Sequence, residues 1–215
     1  MKQIPANFSR PDTKERLLDA AERLFASDGF QGTSLRQLTA EAKANLAAVN
    51  YHFGSKEALL AAVFERRLLP LNELRSRNLQ QLRLGAERPT SRQVLQAFVE
   101  PTLAFRDRDP GAEAFVRLVG RAIADPDDTL RKIFMRLMEP IFLLLYETLA
   151  EALPQLSRSD LFWRLHFALG ALSHTMCLAG RFQIVPPGVT PAADAASLTS
   201  QVLDFLTAGM EASCS

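Results

Sequence analysis

The sequence predicts an all-α chain of about nine helices: a small three-helix unit, then a larger helical bundle. Three observations lead there. Every sustained apolar pattern in the 215 residues repeats at helical spacing, and no stretch alternates with the two-residue period of a half-buried strand. Ser, Thr, Asn and Asp stand just before several of these patterns, where their side chains cap free backbone N–H groups. Turns rich in glycine and proline separate many of the patterns, although Pro70, Pro101 and Pro140 fall inside three of them.

Residues 1–11 are polar and broken by Pro5 and Pro11, and read as a flexible arm. The first helix runs from Asp12 or Thr13 to Ser27 on a stripe of Leu17, Ala21, Leu24 and Phe25. Gly29 supplies its left-handed stop, and Phe30 folds back on the helix end. The second helix starts at Thr33 or Ser34 and buries Leu35, Leu38 and Ala42. A third, very short helix follows Asn45. A fourth, capped by Ser55 and opening on Lys56 and Glu57, carries Leu60, Val63, Phe64, Leu68, Leu71, Leu74, Leu79 and Leu82. Pro70 removes one backbone donor inside it, which predicts a kink or a break. Gly85 to Pro89 reads as a linker. Five more helices follow at about 91–107, 112–124, 128–152, 159–179 and 191–212. Gly111, Asp125-Pro126, Pro154 and Pro186-Pro187-Gly188 separate them, and Thr190 with Pro191 opens the last.

Composition bounds the class without naming it. A hydrophobic fraction of 47% with 23% charged residues suits a globular chain with a buried core. Net charge is only +1. By region it runs from +1 over residues 1–60 to +3 over 61–100 and −3 thereafter, a mild basic bias toward the N-terminal half. Cys177 and Cys214 have neither metal nor redox spacing and are expected as free thiols in a cytoplasmic setting. No secretory signal is legible, and the longest apolar run, Ile141 to Tyr146, is too short for a bilayer. Three histidines, two isolated cysteines and no glycine-rich phosphate loop assemble neither a nucleophile with its base nor a metal cluster. A small helical enzyme is therefore the weaker alternative, and so is a purely architectural DNA binder, which would need a far more basic surface.

The informative stretch is Thr33 to Leu59, TSLRQLTAEAKANLAAVNYHFGSKEAL. A helix this short cannot stand alone in water, so the one after Asn45 must pack on its neighbours. Its anchors are Val49, Phe53 and, as a third candidate, Leu46, while Asn45, Ala47, Ala48, Asn50, Tyr51 and His52 are small or polar and face outward. Small residues with hydrogen-bonding tips are what entry into a major groove requires.

This stretch resembles the DNA-binding region of the TetR family of transcriptional regulators. The likeness covers about Lys14 to Phe64, through LLDAAERLFASDGF, TSLRQLTAEA and VNYHFGSKEALL. It implies a DNA-binding domain over about 12–60, with its helix-turn-helix at about 35–54, and an effector-binding and dimerisation domain over 61–215. It also implies roles for single residues. Thr33 and Ser34 present a helix N-terminus to phosphate. Leu46, Ala47 and Ala48 lie deepest in the groove, and Tyr51, His52 and Lys56 contact phosphates. Arg36 is balanced between the groove and a salt bridge with Glu41 or a neighbour. The sequence departs from the family pattern twice. Lys43 stands where glycine is usual, at a cost of about 1 kcal/mol if its φ is positive, offset by nearness to phosphate. Asn50 stands where tyrosine is usual, and its amide suits adenine or phosphate instead.

For the rest of the chain the resemblance implies a helical bundle that binds a small effector and pairs with a second copy through the last two helices. Helix 159–179 carries two faces: Leu161, Leu165, Leu169, Leu172 and Met176 on one, and Phe162, His166, Gly170, His174 and Cys177 on the other. Phe134, Met138, Tyr146, Trp163, His166 and His174, with Met135, Leu137 and Met176, are candidate liners of an effector pocket. No metal or cofactor is expected. The segment VNYHFGSKEAL also looks similar to the branch of the family that senses fatty acids or acyl thioesters, so a small, largely apolar effector is expected. The implied protein is a repressor that releases a near-palindromic operator on double-stranded DNA.

Overall fold

The structure, a computed structural model, describes residues 12–108, 111–124, 128–178, 185–190 and 194–213. Nine helices lie among the described residues: α1 (Thr13–Gly32), α2 (Leu35–Glu41), α3 (Leu46–His52), α4 (Lys56–Leu84), α5 (Ser91–Arg108), α6 (Ala112–Ala124), α7 (Asp128–Ala152), α8 (Arg158–Leu178) and α9 (Ala195–Glu211). The expected arm over 1–11, the Asp125-Pro126 break, Pro191 and Cys214 fall outside the described residues. No helix of the described residues is long and apolar enough to cross a membrane.

Local chemistry sets the helix ends. Gly29 takes φ 78 inside the span of α1 and ends its regular part as expected, though one further turn runs to Gly32. Phe30 returns onto Phe25, with ring centroids 5.6 Å apart. Ser34 and Gln37 form a reciprocal capping box at the start of α2, and Thr90 with Gln93 repeats that arrangement before α5. Asn45 caps α3 and Ser55 caps α4. Gly188 closes the Pro186-Pro187-Gly188 turn at φ 81.

Three expectations need correction. Of the kink or break expected at Pro70, the break is absent: α4 runs from Lys56 to Leu84. The proline lies on the exposed face, so the carbonyl that loses its partner one turn earlier can be hydrated instead. The last helix begins at Ala195 rather than 191, because Asp194 accepts the Ser197 N–H at 2.7 Å and supplies the stronger, charged cap. The α4 stripe also differs past Leu68. Leu71 is only half-buried and Leu74 is exposed, whereas Arg75 is buried.

Two hydrophobic cores divide the molecule. The first joins α1, α2, α3 and the start of α4 to parts of α6 and α7, through Phe25, Leu38, Val49, Phe64, Phe115 and Phe134. The second joins the far half of α4 to α5, α7, α8 and α9, through Leu79, Phe98, Leu145, Leu165 and Leu206. Helix α4 runs through both, holding Leu68 in one and Leu79 in the other. Met138 of α7 packs against both cores.

Candidate nucleic-acid interface and effector region

Helix α3 rests on a single fully buried side chain. Val49 is 0% exposed, with Ala44, Ala48 and Phe53 partly buried beside it. Leu46, a candidate third anchor, is instead 51% exposed, and Tyr51 is 85% exposed. Asn45, Ala47 and Asn50 are exposed as well, so α3 turns a continuous face of small, amide and phenol groups to solvent. The seven-residue helix is held at its ends. Asn45 Oδ1 accepts the Ala48 N–H at 2.8 Å, and Gly54 at φ 80 accommodates the turn into α4. Arg16 of α1 donates to the Ala42 carbonyl at 3.1 Å, fixing the end of α2 that precedes this turn.

Lys43 has φ 50, the one positive φ outside glycine among the described residues. Its side chain is exposed beside the α3 N-terminus. Glu41 pairs with Arg23 at 3.0 Å and not with Arg36, whose guanidinium stays exposed. His52 is half-buried, edge-on to the Tyr51 ring at 5.0 Å.

Two residues expected on this surface are engaged elsewhere. Thr33 is 1% exposed, and its hydroxyl donates to the Gly29 carbonyl at 2.8 Å, so its side chain does not reach the DNA-facing surface. The neighbouring Ser34 is exposed, its hydroxyl shared with Gln37. Lys56 is half-buried. Its ammonium donates to the Phe30 carbonyl and lies 4.3 Å from the Phe30 ring centroid. That contact relieves a cation placed at a helix N-terminus by burying it against α1.

The residues expected to line one effector pocket do not converge as a set, although Trp163 and His166 lie with ring centroids 6.1 Å apart and Phe142 contacts both His166 and Tyr146. Phe134 is in the first core, and Met138 lies between the cores. Tyr146 donates its hydroxyl to the Arg158 carbonyl at 2.8 Å. Trp163, His166 and His174 are exposed on the outer face of α8, because Leu161, Leu165, Ala168 and Leu172 take the inner one. The two-faced reading of α8 therefore holds, and Trp163, His166 and His174 lie on its outer face. That outer face exposes Phe162, Trp163 and Phe167, and α9 exposes Phe205. Exposed apolar patches of this kind mark interaction surfaces.

Deeper in, α4, α5 and α7 meet around a group that the sequence reading missed. Arg75 is 3% exposed. It donates to Asn72 Oδ1 at 2.8 Å and Thr102 Oγ1 at 2.6 Å, and its guanidinium lies 4.1 Å from the Phe98 ring centroid. Asn72 passes the contact to the Leu137 carbonyl of α7 at 3.1 Å. Burial without a counter-charge pulls the Arg75 pKa down to about 9, still cationic at neutral pH. A signal was present in the sequence: Asn72, Arg75 and Leu79 stand four, seven and eleven residues after Leu68, all core positions of a helix.

Comparison with known proteins supports both halves. The family described as bacterial regulatory proteins, tetR family, matches residues 17–63, and the Tetracyclin repressor-like C-terminal domain matches residues 96–209. The nicotine-responsive transcriptional repressor HdnoR of Paenarthrobacter nicotinovorans is 44% identical over 55 residues, 26% of this chain and 28% of that protein. The transcriptional repressor NicS of Pseudomonas putida is 36% identical over 61 residues, 28% of this chain and 29% of that protein. The chain thus matches less than a third of the length of either relative. Among solved structures, the transcriptional regulator FadR of Bacillus subtilis in complex with stearoyl-CoA has a TM-score of 0.68 at 16% identity, covering 91% of this chain and 98% of that one. The hemolysin II regulator HlyIIR has a TM-score of 0.63 at 22% identity, covering 93% and 99%. At these identities the likeness is one of fold. With the C-terminal match spanning more than half of its length, the chain belongs to the tetR family of bacterial regulatory proteins.

Proposed function

We propose that the protein is a cytoplasmic repressor that binds a near-palindromic operator as a homodimer and releases it on binding a small effector. The carrying observation is α3, seven residues long and anchored by Val49, with Leu46 and Tyr51 turned to solvent. In this reading Leu46, Ala47 and Ala48 enter the major groove, where aliphatic groups meet thymine methyls and Asn50 can read adenine. Ser34, Arg36, Lys43, Asn45, Tyr51 and His52 meet phosphates or the groove edge, and fix register rather than sequence preference. The DNA-binding domain is residues 12–60, and residues 61–215 sense the effector and dimerise.

The second copy would cover the outer faces of α8 and α9, where Phe162, Trp163, Phe167 and Phe205 are exposed. Two-fold symmetry then presents two copies of α3 to successive major grooves about 34–36 Å apart. The role is regulatory and not enzymatic, as for the relatives named above. Their effectors differ: HdnoR is nicotine-responsive, and the FadR structure holds stearoyl-CoA. The fold likeness to FadR favours a largely apolar, acyl-like effector.

Selection from a random pool of duplex DNA tests the reading. It should return a near-palindrome with half-sites one helical turn apart. Tyr51→Ala should weaken mobility shift of that duplex by about 1–3 kcal/mol, with the thermal unfolding curve unmoved. Recovery of no preferred sequence would overturn the proposal.

A further inference from the structure

We infer that the effector carries a carboxylate, and that Arg75, at the seam between the two cores, is the group that receives it. This rests on the effector-responsive reading above and names the ligand class it left open.

Arg75 stands on α4 between Leu68 of the first core and Leu79 of the second. Among the described residues it is the one base whose residue is buried. Two of its five N–H donors go to the neutral oxygens of Asn72 and Thr102, and the buried Nε has no acceptor. The described carboxylates on these parts of α4, α5 and α7 do not approach it, since Glu73, Glu100 and Glu139 are all exposed. A buried cation held by neutral partners is a poor structural element, because its desolvation is only partly repaid. An anion delivered by a ligand completes it. A single guanidinium matches a monoanion, and its fork matches a carboxylate. Phe98 lies against the guanidinium, and Leu79, one turn on along α4, and Leu103, next to Thr102, are buried in the same core, an apolar setting that suits an aliphatic tail and not a polyanion.

The same group is placed to transmit binding. Its hydrogen bonds reach α5 through Thr102 and α7 through Asn72, and α4 begins directly after α3 and its turn. A carboxylate on the free donors of Arg75 pulls on the guanidinium that carries both bonds and so shifts the helices that join the DNA-binding core to the bundle.

The test uses the full-length protein with octanoate, laurate and palmitate, each against its matched primary alcohol, and with stearoyl-CoA, which has no free carboxylate on its acyl chain. At least one acid should raise the unfolding temperature at a concentration where its alcohol and the thioester do not. Arg75→Met should weaken that acid's Kd by more than about tenfold, and Arg75→Lys should retain part of the response. The inference is overturned if no acid acts, if alcohol or thioester acts equally, or if Arg75→Met keeps full affinity. Should Arg75→Met fail to fold, Arg75 is a structural brace and the inference is equally lost. Mobility shift on the selected duplex separates the two levels. DNA binding with no acid response removes the inference alone, and an Arg75-dependent acid response without DNA binding removes the regulator reading alone.

Discussion

The two halves of α4 hold arginine in opposite ways, half-buried against carboxylates in one and fully buried without them in the other. In the first half, Arg66 and Arg67 converge on Glu22 of α1, which is almost fully buried, and Arg66 also reaches Asp19 at 2.8 Å. Burial lowers the Arg66 pKa, but hydrogen bonds to Asp19 and Glu22 outweigh it and leave the group above its ordinary value. Nine residues on, Arg75 has no carboxylate and is pulled the other way. Both leave Nε without an acceptor, so an orphaned donor does not separate them. The counter-charge does. The first cluster joins α4 to the DNA-binding helices, whereas the second is electrostatically incomplete.

Removing Glu22 should have the largest effect. Glu22→Ala strands two partly buried guanidinium groups and should destabilise the protein by about 3 kcal/mol, read by urea unfolding. The solvent access of Arg66 and Arg67, 19% and 17%, keeps the expectation at the low end for a broken buried pair. A loss under about 1 kcal/mol would mean that Asp19 and Glu15 compensate, and the contrast between the halves would weaken.

Arg75→Met should act in the opposite direction. Replacing a buried ion by an apolar side chain of similar length is neutral or stabilising, by about 1–2 kcal/mol here. A clear destabilisation would show that the Phe98 stacking and the two hydrogen bonds already satisfy the cation. Thr102→Val sharpens the point with a smaller change. In the wild type it removes one acceptor from Arg75 and should cost about 1 kcal/mol. In the Arg75→Met background most of that cost should vanish, a coupling that a double-mutant cycle measures directly.

How much of this was legible follows from what each residue does. Local determinants read well: the capping of α2 by Ser34, of α3 by Asn45 and of α4 by Ser55 all lie within three residues of their targets. So did the division of α8 into an inner leucine face and an outer one through Phe162, His166, Gly170, His174 and Cys177, since both follow from helical period. Side-chain destinations set by distant elements did not. Thr33 was expected on DNA because its position in the motif says so, yet its hydroxyl turns back to α1. For Trp163 and His166 residue type alone points to a pocket, whereas which face of α8 turns inward depends on α5, α6, α7 and α9. Arg75 escaped because arginine is ordinarily read as surface, and only its spacing from Leu68 and Leu79 marked it.

Lys43 offers the finest test of the same contrast, in backbone rather than charge. At φ 50 it occupies a conformation that costs an L-residue about 1 kcal/mol relative to glycine. Nothing in the fold requires the side chain, which is exposed. Lys43→Gly should therefore leave stability unchanged or raise it by under about 1 kcal/mol, the strain relief being offset by the added freedom of the unfolded chain. If the lysine stays because it meets a phosphate, the variant should bind the selected duplex more weakly and with a salt slope shallower by about 1. A stabilised variant with unaltered salt dependence would remove Lys43 from the interface. A stabilised variant that binds DNA less well would place it beside Arg75, as a second position where the folded state carries a local cost that only a ligand offsets.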